Sequence, residues 1–286
     1  METVVWVDGK LVGESERALS AVDHGITVGD GAFETCTLVD GQVFALTRHL
    51  RRLDRSLRGL GLDPAPDLET RIRTGIDAVL TRAGTIDGRL RLTVTSGIGP
   101  LGSGRADAPA TVIVAAATST MRPESRTVRS PWVRNERSAV AGLKTTSYAE
   151  NVVALADAVA QGGDEALLAN TVGELCEGTG SNVVVERDGE LLTPALTSGC
   201  LAGITRALFL EWGAEDGLPV REAEPGELPF TVLDDVTAGR AALALTSSGR
   251  NIQPVTWLDG ASVAPGPLTL VARDLFERRV RERMDP

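Results

Sequence analysis

The sequence predicts an α/β protein of two domains, with α+β character in the smaller, N-terminal one. Short apolar runs joined by Asp-Gly turns begin the chain, and two amphipathic helical patterns follow them. Fresh strand patterns then begin beyond residue 126. With 286 residues, 42% of them hydrophobic, the chain is long enough to form two cores.

The first predicted elements are two β-hairpins. Residues 3–12 and 32–46 each contain two strand patterns around a turn, which is Asp8-Gly9 in the first and Asp40-Gly41 in the second. Residues 23–34, between the hairpins, hold three glycines and predict a loop against which other groups pack.

Two helices and two strands complete the predicted first domain. Leucines at helical spacing predict a helix with Thr47 as its N-cap, and residues 67–83 form a second amphipathic pattern. Strands are predicted at 89–95 and 110–117, and the Gly-rich residues 96–105 form a long loop between them.

The domain boundary is predicted near residue 120. Periodicity lapses at residues 118–124, where Met121-Arg122-Pro123 precedes new strand patterns. We therefore predict a smaller N-terminal domain at 1–118, a linker at 119–126 and a larger, β-rich C-terminal domain at 127–286.

Within the second domain a helix is predicted at residues 148–160, where an Ala- and Val-rich run ends before two glycines. A set of short strands should follow, at 165–169, 173–176, 182–186, 191–193 and 241–246. Further helices are predicted within 199–212, 231–238 and 268–283.

Composition and charge restrict the partners and the location. The net charge of −10 includes no basic block, which argues against nucleic acid or membrane as the main partner and favours a small molecule. No apolar run reaches about 18 residues and the start lacks a signal-peptide layout, so we expect a cytoplasmic protein. Three cysteines without C-x-x-C spacing and two histidines predict neither a disulfide framework nor a metal site.

The scarcity of lysine in the sequence indicates one candidate catalytic residue. Of the 29 Lys and Arg residues, only Lys10 and Lys144 are lysines. Lys10 lies in a turn where any cation would serve, whereas Lys144 follows a small, apolar segment and precedes a helical pattern. Because only Lys can lose its proton when desolvated and form a Schiff base, Lys144 is a candidate nucleophile. An interfacial lysine with a solvated end is the alternative.

Three further motifs accompany Lys144: His49-Leu50-Arg51-Arg52-Leu53 precedes it, and Glu177-Gly178-Thr179-Gly180-Ser181-Asn182 and Gly203-Ile204-Thr205-Arg206 follow it. In this order they resemble the class IV aminotransferases, the fold-type IV pyridoxal-phosphate enzymes. This group contains D-amino-acid transaminases, branched-chain aminotransferases, R-selective amine transaminases and aminodeoxychorismate lyases. The resemblance implies two domains with pyridoxal 5'-phosphate at their interface. It also implies a homodimer in which a loop of one subunit completes the other's site.

The resemblance implies cofactor roles for individual residues. Lys144 stands where the family has its Schiff-base lysine, which also shuttles a proton. Glu177 stands where a carboxylate faces the pyridine nitrogen and keeps it protonated. Arg52 matches the phosphate-binding arginine, rather than its neighbour Arg51. A solvated turn position is the alternative for Glu177.

Two later segments match the phosphate end of the cofactor. Backbone N–H groups of Ile204 and Thr205, at a helix N-terminus, would hold the phosphate. Ser247 and Ser248 match the family's pair of hydroxyl groups beside phosphate and substrate. A plain loop after a strand is the alternative for these serines.

On the substrate side, residues 29–35 are similar to the family's N-terminal active-site strand, with Phe33 and Thr35 as candidate substrate contacts. Branched-chain enzymes and many lyases have Arg two residues beyond the position of Thr35, where this chain has Thr37. D-amino-acid transaminases have Arg and His in the loop matched to residues 96–103, where neither type occurs. The usual carboxylate-binding residues of these subgroups are therefore absent.

Two arginines are candidates to receive the substrate carboxylate instead. Arg250, which we expect to be solvent-accessible, follows the serine pair, and Arg105 ends the Gly-rich loop. A surface role is the alternative for both. A single accessible arginine would also tolerate R-amines, which have no carboxylate.

The function implied is transfer of an amino group between an amino acid, with D handedness expected, and a 2-oxo acid. Aminodeoxychorismate lyase is the alternative within the family, since Lys144-Thr145 and Thr35 fit it while Thr37 does not. A pyridoxal-phosphate-binding protein without catalysis is an alternative of another class. So is a hydrolase using Ser247 and His24, which the absence of a G-x-S-x-G motif disfavours.

Overall fold

The computed structural model describes residues 3–286, which form two compact units. The first unit comprises the chain up to Thr120 together with Leu143–Tyr148 and Arg283–Pro286. The second comprises Met121–Gly142 and Ala149–Glu282. The short segment that carries Lys144 thus belongs to the first unit, and the linker at 119–126 stays a prediction.

The first unit contains a six-stranded antiparallel sheet. Its strands are β1 (Val4–Val7), β2 (Lys10–Val12), β3 (Gly31–Val39), β4 (Gln42–Val43), β5 (Gly88–Thr95) and β6 (Thr111–Thr118), in the order β2-β1-β6-β5-β3-β4. Both predicted hairpins are confirmed. Asp8 and Asp40 begin their turns with positive φ angles of 43° and 50°, a conformation that Asp tolerates better than most residues.

The helices of the first unit are α1 (His24–Thr27), α2 (Leu46–Gly59) and α3 (Leu68–Ala83). Alternate residues of the central strands form one core with α2 and α3, and its members include Leu38, Leu90, Val114, Leu53 and Ile76. The other residues of these strands point to the opposite face of the sheet.

Helix α2 begins differently from the prediction, in which Thr47 is the N-cap. The helix starts at Leu46, after Ala45, whose φ of 55° is in the left-handed region. The carboxylate of Asp285 accepts hydrogen bonds from the Thr47 backbone N–H, at 2.9 Å, and from its hydroxyl. A carboxylate from the chain's last residues therefore caps this helix, and a local pattern could not predict it.

The second unit is β-rich. Its strands are β7 (Ser125–Arg134), β8 (Glu165–Asn170), β9 (Leu175–Gly178), β10 (Asn182–Arg187), β11 (Glu190–Thr193), β12 (Val220–Glu222), β13 (Ala242–Ser247), β14 (Asn251–Leu258) and β15 (Ala261–Ser262). They lie in the order β12-β11-β10-β13-β14-β7-β8-β9, and β15 pairs with β14.

The helices of the second unit are α4 (Ala149–Ala160), α5 (Ile204–Glu215), α6 (Val232–Thr237) and α7 (Pro267–Glu282). Within residues 3–286, none of the helices is both long and apolar enough to cross a membrane. The cytoplasmic location stays a prediction.

Candidate active site

Lys144 is held beside β3 by backbone hydrogen bonds within the first unit. Its carbonyl accepts from the N–H of Phe33 at 3.0 Å, and its own N–H donates to Ser56 Oγ of α2 at 3.1 Å. Two residues later, the N–H of Thr146 donates to the carbonyl of Gly31 at 2.8 Å. The backbone is thus fixed on both sides of the lysine, and its side chain starts from a defined position.

The amine of Lys144 lies over two aromatic rings. Its Nζ is 4.4 Å from the centroid of the Phe33 ring and 6.0 Å from that of Tyr148. The two rings meet edge to face, with centroids 5.2 Å apart. Phe33 is buried, so the amine has an apolar neighbour that attracts a cation through its ring face. Tyr148, the chain's single tyrosine, was not among the predicted site residues, although its position four residues after Lys144 is a signal.

Arg91 lies against the same phenylalanine. Its Cζ is 3.8 Å from the Phe33 ring centroid, and β5 places it directly opposite Thr35 of β3. Paired residues of neighbouring strands share a face, so Phe33, Thr35 and Arg91 all point away from the helices. Although Arg91 as a whole is exposed, burial of its guanidinium against the ring lowers its pKa. Arg91 was not among the predicted site residues, because its pairing with Thr35 depends on strand register, which is not visible in the sequence.

Arg52 forms a buried ion pair with Glu34 in the first unit. Its Nε donates to Oε1 at 2.8 Å and its Nη2 to Oε2 at 2.6 Å, while His49 Nδ1 lies 2.7 Å from Oε2. Burial alone would raise the pKa of Glu34, but the charge and hydrogen bonds of Arg52, with the bond from His49, lower it to about 2. Burial also lowers the pKa of His49. The pair fixes the plane of the Arg52 guanidinium, whose contact with phosphate stays a prediction.

Helix α5 begins where the sequence predicts a phosphate-binding turn. Ile204 and Thr205 are its first residues, both are buried, and Gly203 is the N-cap. A Cβ on Gly203 would lie 2.0 Å from Asn182 Oδ1, so a side chain does not fit there. The first N–H groups of a helix have no intrahelical partner and attract anions, an attraction that the helix dipole increases.

A buried hydroxyl lies one strand away from this helix start. Thr246 of β13 is directly opposite Asn182 of β10, the residue that contacts Gly203. Within the described residues 3–286, Thr246 Oγ1 is buried and has no hydrogen-bond partner. An orphaned donor near a helix N-terminus fits a polar, anionic ligand such as the phosphate of pyridoxal phosphate.

Glu177 of β9 has donors on both carboxylate oxygens. Its Oε1 accepts from Arg134 Nε at 3.1 Å, and its Oε2 accepts from the backbone N–H of Leu201 at 2.9 Å. The residue is 8% exposed. These donors stabilise the carboxylate anion, which is the form required beside a protonated ring nitrogen.

Arg250 differs from the accessible cation that the sequence predicts. Its side chain is only 19% exposed and donates to Gln253 Oε1 at 2.5 Å and Ser125 Oγ at 3.2 Å. Its Nη2 lies 3.5 Å from a carboxylate oxygen of Glu165. The preceding Ser247 ends β13, and Ser248 follows in the turn, where both are half-buried. Arg250 is thus part of a polar cluster of the second unit.

The Gly-rich loop of residues 96–105 is anchored at its last residue and at its middle within the first unit. Arg105 donates from Nε and Nη2 to the two carboxylate oxygens of Asp30, each at 2.7 Å, and to the carbonyl of Leu60 at 2.8 Å. His24 is buried and its Nε2 donates to the carbonyl of Pro100 at 2.8 Å. This bond gives His24 a structural role.

Comparison with known families gives a match over most of the chain. Residues 31–258 match the family described as amino-transferase class IV. The matched range contains all of the predicted site residues, from Phe33 to Arg250.

Three relatives of different activity align along nearly the whole chain. A D-alanine aminotransferase of Staphylococcus epidermidis is 27% identical over 288 residues, which cover 98% of each chain. The branched-chain aminotransferase of the archaeon Thermoproteus uzoniensis, solved with norvaline, has a TM-score of 0.85 at 27% identity, covering 99% of this chain and 96% of that one. The 4-amino-4-deoxychorismate lyase of Pseudomonas aeruginosa has a TM-score of 0.80 at 29% identity, covering 99% and 100%.

Proposed function

Because the chain belongs to the class IV aminotransferases, which use pyridoxal phosphate, we propose that it transfers an amino group between a D-amino acid and a 2-oxo acid. The similarity to a D-alanine aminotransferase over nearly the full length supports the D handedness. Pyridoxal phosphate, when bound, supplies an electron sink for the negative charge that develops on the substrate Cα.

The placement of Lys144 is the observation that carries this proposal. Its backbone is fixed by Phe33 and Ser56, and its amine lies over the ring of Phe33. We propose that this amine would hold the cofactor and, once free, would accept the proton that leaves the substrate Cα and deliver it to the cofactor carbon that takes up the amino group. Phe33 would keep water from the amine during this transfer.

The other predicted cofactor ligands have chemistry that suits pyridoxal phosphate. Glu177 offers an oriented carboxylate for the ring nitrogen. The start of α5, with the N–H groups of Ile204 and Thr205, is suited to the phosphate. We further propose Arg52, Ser247 and Ser248 as phosphate-end contacts, as the family resemblance implies.

We propose Arg91 as the cation that receives the substrate carboxylate. Arg250 and Arg105 already pair with carboxylates of their own units. In the described part of the chain, residues 3–286, Arg91 forms no ion pair of its own, and it shares the Phe33 ring with Lys144. A substrate carboxylate near Phe33 is costly to desolvate without a partner, and a planar guanidinium can bind it through two hydrogen bonds.

A donor panel tests the reaction. The holoenzyme is mixed with D-alanine, L-alanine, an R-amine or aminodeoxychorismate, with 2-oxoglutarate as acceptor, and products are quantified. We expect a 2-oxo acid and an amino acid from the D-donor, with the L-donor at least tenfold slower. Release of 4-aminobenzoate at a higher rate than transamination would instead assign the lyase reaction.

Arginine variants of the same enzyme test the carboxylate contact. Arg91→Met should raise the KM for amino and oxo acids on the order of tenfold or more, the cost of losing a charged hydrogen bond, while an R-amine is affected much less. Arg250→Ala and Arg105→Ala are the matched comparisons. If Arg250→Ala alone shows this selective loss, the substrate carboxylate binds Arg250 and our choice of Arg91 is wrong.

We also propose that the outer face of α4 is the contact surface of a homodimer. The helix packs its small residues Ala154 and Ala158 inward, whereas Val152 and Val159 are 61% and 58% exposed. Large apolar residues on the outside of a helix are typical of an interface. The same charge-poor face on a second copy would cover it, as two-fold symmetry allows.

Light scattering after size-exclusion chromatography tests this surface. Val152→Glu and Val159→Glu should shift the protein from dimer to monomer. Val271→Glu, on α7 and 51% exposed, is the matched control and should remain dimeric. A dimer that persists in both α4 variants would contradict the proposed surface.

A further inference from the structure

A closed series of hydrogen bonds surrounds Arg134 in the second unit. Its Nε donates to Glu177 Oε1 at 3.1 Å, and its Nη2 donates to Asn151 Oδ1 at 2.7 Å. Asn151 Nδ2 then donates to the backbone carbonyl of Thr179 at 2.7 Å. Thr179 lies two residues after Glu177, so the series starts and ends on the same stretch of backbone.

Three different elements hold this arrangement in place. Arg134 is the last residue of β7, Asn151 lies in the first turn of α4, and Glu177 is in β9. Asn151 and Glu177 are buried, and the side chain of Arg134 is 18% exposed. A guanidinium held by two partners loses its conformational freedom when the protein folds, and not when a ligand binds.

The contact between Arg134 and Glu177 differs from the ion pair of Arg52 and Glu34. In that pair, two N–H groups meet two carboxylate oxygens side by side. Arg134 instead gives one N–H group, from Nε, to one oxygen of Glu177. Such a contact stabilises the anion, and together with the Leu201 N–H on the other oxygen it orients the carboxylate.

We propose that Arg134 and Asn151 are positioning residues for Glu177. Asn151 orients the guanidinium of Arg134, which in turn orients Glu177 and keeps it anionic. The inference rests on the proposed function, because it assumes that Glu177 faces the ring nitrogen of the cofactor. A protonated or rotated carboxyl group would not stabilise the protonated ring nitrogen.

The titratable groups around Glu177 come from several elements of the second unit. Glu150 of α4 lies 3.4 Å from Arg134 Nη1, but its side chain is 83% exposed and largely screened by solvent. Glu165 of β8 accepts from the N–H of Thr179 at 2.9 Å. Burial raises the pKa of the Cys176 and Cys200 thiols, which therefore stay neutral near pH 7. Arg134 contacts Glu177 directly, through its Nε.

Titration of the Glu177 carboxyl group tests the inference without relying on activity. The full chain, labelled with ¹³C at its glutamate carboxyl carbons and free of cofactor, is followed by NMR against pH, and Glu177→Gln identifies the signal. Arg134→Met should raise the pKa of Glu177 by about one to three pH units, as expected when an adjacent Arg is lost. Arg134→Lys should raise it less, because the charge remains.

Two more variants sharpen this comparison. Asn151→Leu leaves the charge of Arg134 but removes its second partner, so it should produce a smaller rise in the pKa of Glu177. Arg126→Met is the matched control, since Arg126 also lies on β7 but stacks on Trp257, 4.3 Å from its ring centroid. It should leave the titration unchanged. In the holoenzyme, the acid limb of the rate of reaction with an amine donor should move with the pKa.

An unchanged titration of Glu177 in Arg134→Met overturns the inference, whatever happens to activity. If that variant does not fold, Arg134→Lys and Asn151→Leu decide, and two unchanged titrations overturn it equally. A failure of the proposed function would give a different result from a failure of this inference. If only the proposed function were wrong, Glu177→Gln would leave the reaction of the holoenzyme with an amine donor unchanged. Arg134→Met would still raise the pKa of Glu177.

Discussion

Arg52 and Glu34 form a bidentate ion pair in the interior of the first unit, with N–O distances of 2.8 and 2.6 Å. The pair connects α2 to β3, and β3 also holds the backbone of Lys144 through Phe33. Glu34 is completely buried. The ionisation of this one carboxyl group should therefore affect both the stability of the unit and the order of the candidate active site.

The pair predicts a loss of stability in acid. The pKa of Glu34 is about 2 in the folded protein and 4.5 as its ordinary value, so its stabilising effect is complete above pH 4.5. The effect should disappear as the pH falls from 4.5 to 2, by on the order of 3 kcal/mol of unfolding free energy. Chemical denaturation of the cofactor-free protein at a series of pH values measures this fall.

Glu34→Gln serves as the comparison for that measurement. The substitution leaves Arg52 buried without its carboxylate, so it should lower the free energy of unfolding by about 3–5 kcal/mol at pH 7. Below pH 4.5, the free energy of unfolding of this variant should change less steeply with pH than that of the unaltered protein. Glu69→Gln, in the exposed pair with Arg73 on α3, should change neither quantity appreciably. An equal pH dependence in Glu34→Gln and the unaltered protein would show that Glu34 does not carry the effect.

Substitutions of the residues proposed to contact the two ends of the cofactor should have different effects. Glu177→Gln should retain pyridoxal phosphate but slow the proton-transfer step, because a neutral amide cannot stabilise a protonated ring nitrogen. Arg52→Ala should instead weaken cofactor retention, because it removes a charged phosphate contact. Dialysis with absorbance detection measures retention, and single-turnover kinetics measure the proton transfer. Exchanged phenotypes would reverse our assignment of the two ends.

Gly203 should be sensitive to the addition of a single methyl group. In Gly203→Ala the new Cβ would lie 2.0 Å from Asn182 Oδ1, so either the start of α5 or Asn182 must move. We expect a loss of about 1–3 kcal/mol in stability, together with weaker binding of pyridoxal phosphate. Calorimetry and equilibrium dialysis measure the two effects.

Asn182, the residue that the new methyl group would contact, provides the control for this prediction. Asn182→Ser shortens the contacting side chain, so the double variant should recover part of the loss. Gly104→Ala, where a Cβ would meet nothing within 4 Å, should have little effect. If Gly203→Ala bound the cofactor normally, the phosphate would not lie at the start of α5.

Local signals were sufficient for much of the fold. The Asp8-Gly9 and Asp40-Gly41 turns fix their hairpins through turn chemistry, and the pattern at 67–83 agrees with α3. The start of α5 at Ile204 also follows from its short motif. Each of these features depends on residues that are near one another in the chain.

The contacts of the charged side chains could not be predicted from the sequence. Arg250 contacts Ser125, 125 residues away, and Asp285 caps α2 at Thr47, 238 residues away. The position of Arg91 opposite Thr35 depends on the register of β3 and β5. Because side-chain pairing follows from tertiary packing, composition and periodicity cannot distinguish a buried cation from a solvated one.

Covalent attachment of the cofactor to Lys144 can be tested directly. Borohydride reduction of the holoenzyme followed by peptide mass spectrometry identifies the lysine that carries the phosphopyridoxyl group. We expect the label on Lys144 and none on Lys10, which is exposed and paired with Glu16. Lys144→Arg should abolish both the label and the activity, since Arg keeps the charge but not the nucleophilic amine. A label on Lys10, or full activity in Lys144→Arg, would show that Lys144 does not bind the cofactor covalently.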